Sequence, residues 1–283
     1  MNKFHGLGTA LITPFQPDGS VDYKALEQLL DLQIAGGADY LVVLGTTAEA
    51  ATMSDDERHA VMQAIKNHVA GRVPLVLGCG GNNTAAVCQI LRTSDLSGFS
   101  AILSVCPYYN KPSQEGLFRH FCAIAEASPI PVILYNVPGR TGVNLLPETV
   151  MRIYDAHPDK ITGIKEASGN LEQIRHLISM SQGKLSVISG DDGIAAEVMQ
   201  AGGAGLISVL SNAYPAEVHT IVHHADSALQ AKFARLITLL FKEGNPSGIK
   251  TVLAQRGIIS NVLRLPLVSN SEAVQAEIAD TIK

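Results

Sequence analysis

Eight short apolar runs, spaced by a nearly constant interval, constrain this chain more than any other feature. They begin near Leu7 (LGTALI), Tyr40 (YLVVL), Leu75 (LVLGC), Ala101 (AILSV), Pro131 (PVILY), Ile161 (ITGIK), Leu185 (LSVIS) and Ala204 (AGLISV). Successive starts lie 19 to 35 residues apart, mostly the length of a strand plus a crossover helix. Their apolarity is continuous rather than alternating, as strands buried on both faces require. The segments between them are amphipathic: Val21–Ala35 sets Leu26, Leu29, Leu30 and Ile34 on one face, and Ser54 with Glu57 has capping-box spacing. Further helices are predicted over Thr84–Leu96, Ser113–Ala127, Leu146–Ala156, Asn170–Ser181 and Asp191–Ala201. Eight βα units without a long interruption predict an α/β fold, a closed (β/α)8 TIM barrel, rather than an open doubly wound sheet with a glycine-rich first turn. After Pro215 the pattern stays helical, broken at Gly244-Asn245-Pro246 and at Pro266. The reading is a barrel over 1–243 and an appended C-terminal helical region over 244–283, packed on the barrel.

Composition removes several function classes. Lys+Arg number 21 against 26 Asp+Glu, a net charge of −5, so bulk electrostatics offers no reason to bind nucleic acid or an anionic membrane. No apolar run reaches the ~18 residues of a membrane span, and Met1–Phe15 lacks the form of a signal peptide, which predicts a cytoplasmic protein. Cys79, Cys88, Cys106 and Cys122 show no C-x-x-C spacing and read as buried free thiols. The nine histidines show no H-E-x-x-H spacing and read as structural or surface groups; neither metal nor cofactor is implied.

In a barrel of this kind the C-terminal strand ends share one mouth. Those ends carry Gly45-Thr46-Thr47, Pro107-Tyr108-Tyr109-Asn110, Tyr135-Asn136 with Arg140, Lys165-Glu166, Ser189-Gly190-Asp191-Asp192 and Ile207-Ser208. Lys165 closes an apolar run, where desolvation would favour a neutral amine able to attack a ketone and form a Schiff base. An ion pair with Glu166 at the rim is the equal alternative. Tyr135 and Tyr109 could relay protons or simply pack, and for either alone packing is the better reading. Thr46 and Thr47 could hold a carboxylate or cap the next helix. Arg140 could clamp a carboxylate or lie on the surface. Asp191-Asp192 reads as a helix start rather than a metal site.

Five blocks, GTTAEAAT (45–52), PYYNKPSQEGL (107–117), YNVPGRTG (135–142), GIKEASGN (163–170) and SGDD (189–192), resemble the dihydrodipicolinate synthase family. The likeness runs through the whole chain, including Asn245-Pro246 and Arg264-Leu265-Pro266. It implies a lyase that condenses pyruvate with L-aspartate 4-semialdehyde, at the entry to diaminopimelate and lysine, in a homotetramer built as a dimer of dimers. It assigns the imine to Lys165 and the proton relay to Tyr135, Thr46 and Tyr109, with Tyr109 reaching in from a neighbouring subunit. Thr47 and Ile207 would hold the pyruvate carboxylate, Arg140 the aldehyde substrate's carboxylate, and Gly190 would line the pocket. The alternative is another pyruvate-dependent aldolase of the superfamily, such as a sialic acid or 2-keto-3-deoxy sugar acid lyase. Sialic acid lyases resemble a G-S-T-G-E motif and lack the arginine. A non-catalytic barrel would have no use for Lys165, Tyr135, Thr46 and Tyr109 together.

Two departures stand out. Ala48 occupies a family glycine position, a strain if that residue needs φ > 0. Asp55, Arg58 and Ala86 stand where lysine-sensitive members carry histidines and a glutamate, although Asn82 and Tyr108 remain, so inhibition by lysine is expected to be weak or absent.

Overall fold

The structure, a computed structural model, describes residues 4–283; the first three residues of the Met1–Phe15 stretch lie outside the described residues. Eight parallel strands close into one barrel in sequence order: β1 (Gly6–Ala10), β2 (Tyr40–Val43), β3 (Leu75–Gly78), β4 (Ala101–Val105), β5 (Val132–Asn136), β6 (Ile161–Glu166), β7 (Ser186–Ser189) and β8 (Gly205–Ser208). Closure is the β1–β8 pairing, from Gly6↔Gly205 to Thr9↔Ser208. The predicted starts hold to within two residues.

Continuous apolarity has a direct cause in the packing. Tyr40, Val42, Val76, Leu103, Ile133, Ile188 and Ile207 fill the barrel interior. Their strand neighbours, such as Leu41, Leu77, Ile102, Leu134, Ile164 and Leu206, join a second core between barrel and helices. Both faces of each strand are therefore dry.

The surrounding helices are α1 (Tyr23–Ala35), α2 (Asp55–Val69), α3 (Thr84–Thr93), α4 (Gln114–Ala127), the single turn α5 (Pro138–Thr141), α6 (Pro147–Ala156), α7 (Leu171–Ser181), α8 (Ala195–Gln200) and α9 (Pro215–His224). Their starts follow local chemistry: Asp22, Asn83, Ser113 and Asn170 each accept a first-turn N–H, and Pro147 and Pro215 occupy first positions. The segment predicted as one helix over Asp191–Ala201 is shorter, a 3-10 turn (Asp192–Ile194) followed by α8. Beyond α9 come α10 (Ser227–Lys242), α11 (Ser247–Gln255) and α12 (Glu272–Thr281), which contact one another, while α10 also touches α8 and α9. All four cysteines are free; Cys88 and Cys106 are buried as expected, whereas Cys79 and Cys122 are half-exposed. Among the described residues no helix is long and apolar enough to cross a membrane.

The Ser54–Glu57 capping box forms in full and has a third member. Arg264, in the segment after α11, donates to both oxygens of Glu57 at 2.5 and 2.9 Å. That guanidinium holds the Glu57 carboxyl at about 2, against an ordinary 4.5. A depressed carboxylate stabilises the fold fully above its unfolded pKa and loses that contribution as pH falls through the folded value. Melting curves of wild type and Glu57→Gln should therefore differ above about pH 4.5 and converge towards pH 2. A gap unchanged at pH 2 would contradict this linkage.

Candidate active site

The register of β5 on β6 sets Tyr135 beside Lys165. Strand alternation alone would place Ile161 and Lys165 on the same face. The pairing instead steps from Val132↔Ile161 to Ile133↔Gly163, which leaves Thr162 as an extra residue. Ile161 and Ile164 consequently both join the outer core, and Lys165 turns inward. Its Nζ lies 4.6 Å from the Tyr135 ring centroid, and the two residues are only 6% and 7% exposed.

Space for the lysine stem comes from Gly190, just past β7. A Cβ there would stand 2.9 Å from Lys165 Cε and 2.5 Å from Ala167 Cβ, so a larger residue would push the amine off its course. The Gly190 N–H also donates to the Glu166 carbonyl at 2.8 Å, tying β7 to β6 at the mouth.

The ion pair weighed for Lys165 does not form. Glu166 faces outward, fully buried, and accepts from Asn136 Nδ2 (2.9 Å), Gln173 Nε2 (3.0 Å) and the Ser168 N–H (2.8 Å). Among the described residues Lys165 has no carboxylate within ion-pair reach. The Glu166 network instead clamps the ends of β5 and β6, and with them the positions of Tyr135 and Lys165.

Thr46 and Thr47 follow β2 in a single 3-10 turn, Thr46–Ala48. Thr47 is buried, and its Oγ1 accepts from Asn245 Nδ2 at 3.0 Å. The hydroxyl proton of Thr47 is thus free to donate, as a bound carboxylate would require. Thr46 is exposed at the mouth. Ala48 is buried without a positive φ; the left-handed residue is Glu49, at φ +56. The strain anticipated at the glycine position is absent, since the turn bends one residue later.

Glu49 and Asn245 explain how this turn is held. Glu49 reaches Lys250 of α11 at 2.5 Å, both side chains being wholly inaccessible. Glu49 Oε2 also accepts the Arg264 N–H at 3.0 Å, and Lys250 donates to the Val262 carbonyl at 2.9 Å. Burial pushes the Lys250 ammonium down to about 8 while Glu49 pulls the other way. Asn245, read in the sequence only as part of a helix break, touches Thr47 and accepts weakly from Arg140 Nη2 at 3.4 Å. The lone lysine in the apolar stretch GIKTVLA was a visible signal for Lys250; its partner was not.

The remaining predicted residues divide. Ile207 is fully buried in the interior core, the same cluster that holds Tyr135, near the end of β8. Arg140 sits on α5 at the rim, with an exposed guanidinium. Tyr109 is not brought to Lys165 within this chain: it projects outward, 89% exposed, at φ +77. Asp192 is engaged within the fold. Its buried carboxylate accepts from Ser208 Oγ (2.5 Å) and the Val209 and Leu210 N–H groups, with its pKa raised by burial. Burial pushes the Cys79 thiol up to about 11, above the ordinary thiol range.

A strand-end mouth with one inward amine, a phenol ring against it, a threonine hydroxyl with its proton uncommitted and a rim guanidinium suits imine chemistry on a small oxo acid. Comparison with known proteins agrees. The family model for the dihydrodipicolinate synthetase family matches residues 3–283. The chain is 51% identical to the 4-hydroxy-tetrahydrodipicolinate synthase of Flavobacterium psychrophilum, over 96% of this chain and 95% of that protein. It is 48% identical to that of Parabacteroides distasonis, over 98% and 96%. Among solved structures, the chloride-inhibited dihydrodipicolinate synthase of Acinetobacter baumannii complexed with pyruvate superposes with a TM-score of 0.94, at 38% identity, covering 98% of this chain and 97% of that one.

Proposed function

The chain belongs to the dihydrodipicolinate synthetase family, and from that premise we propose the route by which its residues condense pyruvate with L-aspartate 4-semialdehyde to give 4-hydroxy-tetrahydrodipicolinate. The observation that carries the reading is the inward Lys165 amine, packed against Tyr135 and given room by Gly190. The neutral amine adds to the pyruvate ketone, water leaves, and an imine forms at Lys165. Loss of a methyl proton gives the enamine, whose carbon attacks the aldehyde. The substrate's own amino group then adds to the imine carbon, closing the ring and releasing Lys165.

Tyr135 moves the protons of imine formation, since a phenol donates and accepts in turn. Thr46 and Tyr109 complete the relay. Because Tyr109 points away from its own Lys165, it serves the mouth of a second copy, which fits a cytoplasmic homotetramer arranged as a dimer of dimers. Thr47 and the backbone at Ile207 hold the pyruvate carboxylate, and Arg140 takes the carboxylate of the incoming aldehyde. The sugar-acid lyases are set aside because Arg140, Thr46-Thr47 and the named relatives all favour the semialdehyde.

Product formation from pyruvate with aspartate semialdehyde, compared with cleavage of 2-keto-3-deoxy sugar acids, tests the assignment. Turnover should appear in the condensation alone; efficient sugar-acid cleavage would overturn it. Lysine added to the same assay should inhibit weakly or not at all. Asp55 has a 96% exposed side chain paired only with Arg58 at 3.5 Å, and Ala86 offers no carboxylate to an amino group.

A further inference from the structure

A second constellation lies at the opposite end of the barrel from Lys165. Asp39 immediately precedes β2, while His219 and His223 stand one turn apart on α9, which runs back towards the strand starts. One ligand atom from each of the three lies within 4.8 Å of the other two. His223 Nε2 is 2.7 Å from Asp39 Oδ2, and the two imidazoles stack with centroids 4.1 Å apart.

The group is built into the fold rather than scattered over a surface. The Leu7 N–H donates to Asp39 Oδ2 at 2.7 Å, fixing the carboxylate from behind. Gly6 and Gly37, both in the left-handed region, pack against it. A Cβ on Gly6 would stand 2.1 Å from Asp39 Oδ2 and 2.9 Å from His223 Nε2, and one on Gly37 would stand 2.9 Å from His219 Cδ2. The Asp39 and His223 side chains remain 34% and 37% exposed, so solvent reaches the open side.

We propose that Asp39, His219 and His223 form a binding site for one divalent transition ion of the zinc type, with water as a further ligand. Two imidazoles and one carboxylate are a donor set for a borderline ion, whereas magnesium and calcium favour oxygen alone. Tetrahedral zinc holds its ligand nitrogens roughly 3–3.5 Å apart, so modest side-chain rotations bring these atoms into place. The bound ion takes the place of the direct His223–Asp39 contact and ties α9 to the starts of β1 and β2. Its role is to stabilise the barrel floor, since the chemistry occupies the other end.

Zinc chloride titrated calorimetrically at neutral pH into the full-length protein, its His219→Ala form and its His223→Ala form tests this. Wild type should take one ion per chain with micromolar affinity, each variant at least tenfold more weakly. Zinc should raise the melting temperature of wild type by several degrees and of the variants little; comparing with and without zinc inside each variant removes any cost of the substitution itself. Condensation activity of the His219→Ala form should match wild type. Absence of zinc uptake by wild type, or equal uptake by all three proteins, would overturn the proposal.

Discussion

Lys165→Ala is expected to abolish trapping of pyruvate by borohydride and to cut condensation by about 10^3-fold or more, because no other group can carry the covalent intermediate. The structure makes this a clean test. Among the described residues Lys165 forms no ion pair, and Glu166 keeps its own partners, Asn136, Gln173 and the Ser168 N–H. Truncation therefore breaks no buried network, and the variant should melt close to wild type. Mass mapping of the reduced protein should place the adduct on the peptide bearing Lys165. A variant that still traps pyruvate, or retains more than a small fraction of turnover, would show that the amine is not the nucleophile.

The second large effect lies in the C-terminal region. Lys250→Ala leaves the Glu49 carboxyl without its closest partner in a fully inaccessible site. Removing one member of a buried pair costs about 3–5 kcal/mol, which corresponds to a fall in melting temperature of roughly 10 °C. Activity should fall as well, since Glu49 ends the turn that presents Thr46 and Thr47. The double variant Glu49→Gln/Lys250→Met removes both charges with little change of volume and should recover much of the stability. Equal melting temperatures for wild type and Lys250→Ala would mean that the pair contributes nothing. A double variant no better than the single would mean that packing, not charge, is the cause. If stability falls while KM for pyruvate is unchanged, the link from Lys250 to the threonine turn is refuted.

Much of this architecture is legible in the letters because its causes are local. A strand buried on both faces must be continuously apolar, and a helix start needs an acceptor for its free N–H groups, so β1 to β8 and the Ser54–Glu57 capping box can be read within short windows. The site residues at strand ends follow from the same reading, since a parallel barrel gathers those ends at one mouth. Lys165, Tyr135, Thr47, Gly190 and Ile207 stand there.

Other features needed the tertiary structure. The extra residue Thr162, which turns Lys165 inward, is set by the pairing of β6 with β5 and leaves no mark in ITGIK. The partners of the threonine turn are remote: Asn245 meets Thr47 across 198 positions, and Arg264 meets Glu49 across 215. Asp39 joins His223 across 184, where no local spacing rule could find it. Sequence by itself determined which segments are strands and helices, and hence the closed barrel and the end at which its chemistry sits, because solvent and backbone hydrogen bonding act over a few residues. Which charges from distant segments face one another, as Glu49 and Lys250 do, was decided only when the chain closed, because such pairing depends on distance in space and carries no period along the sequence.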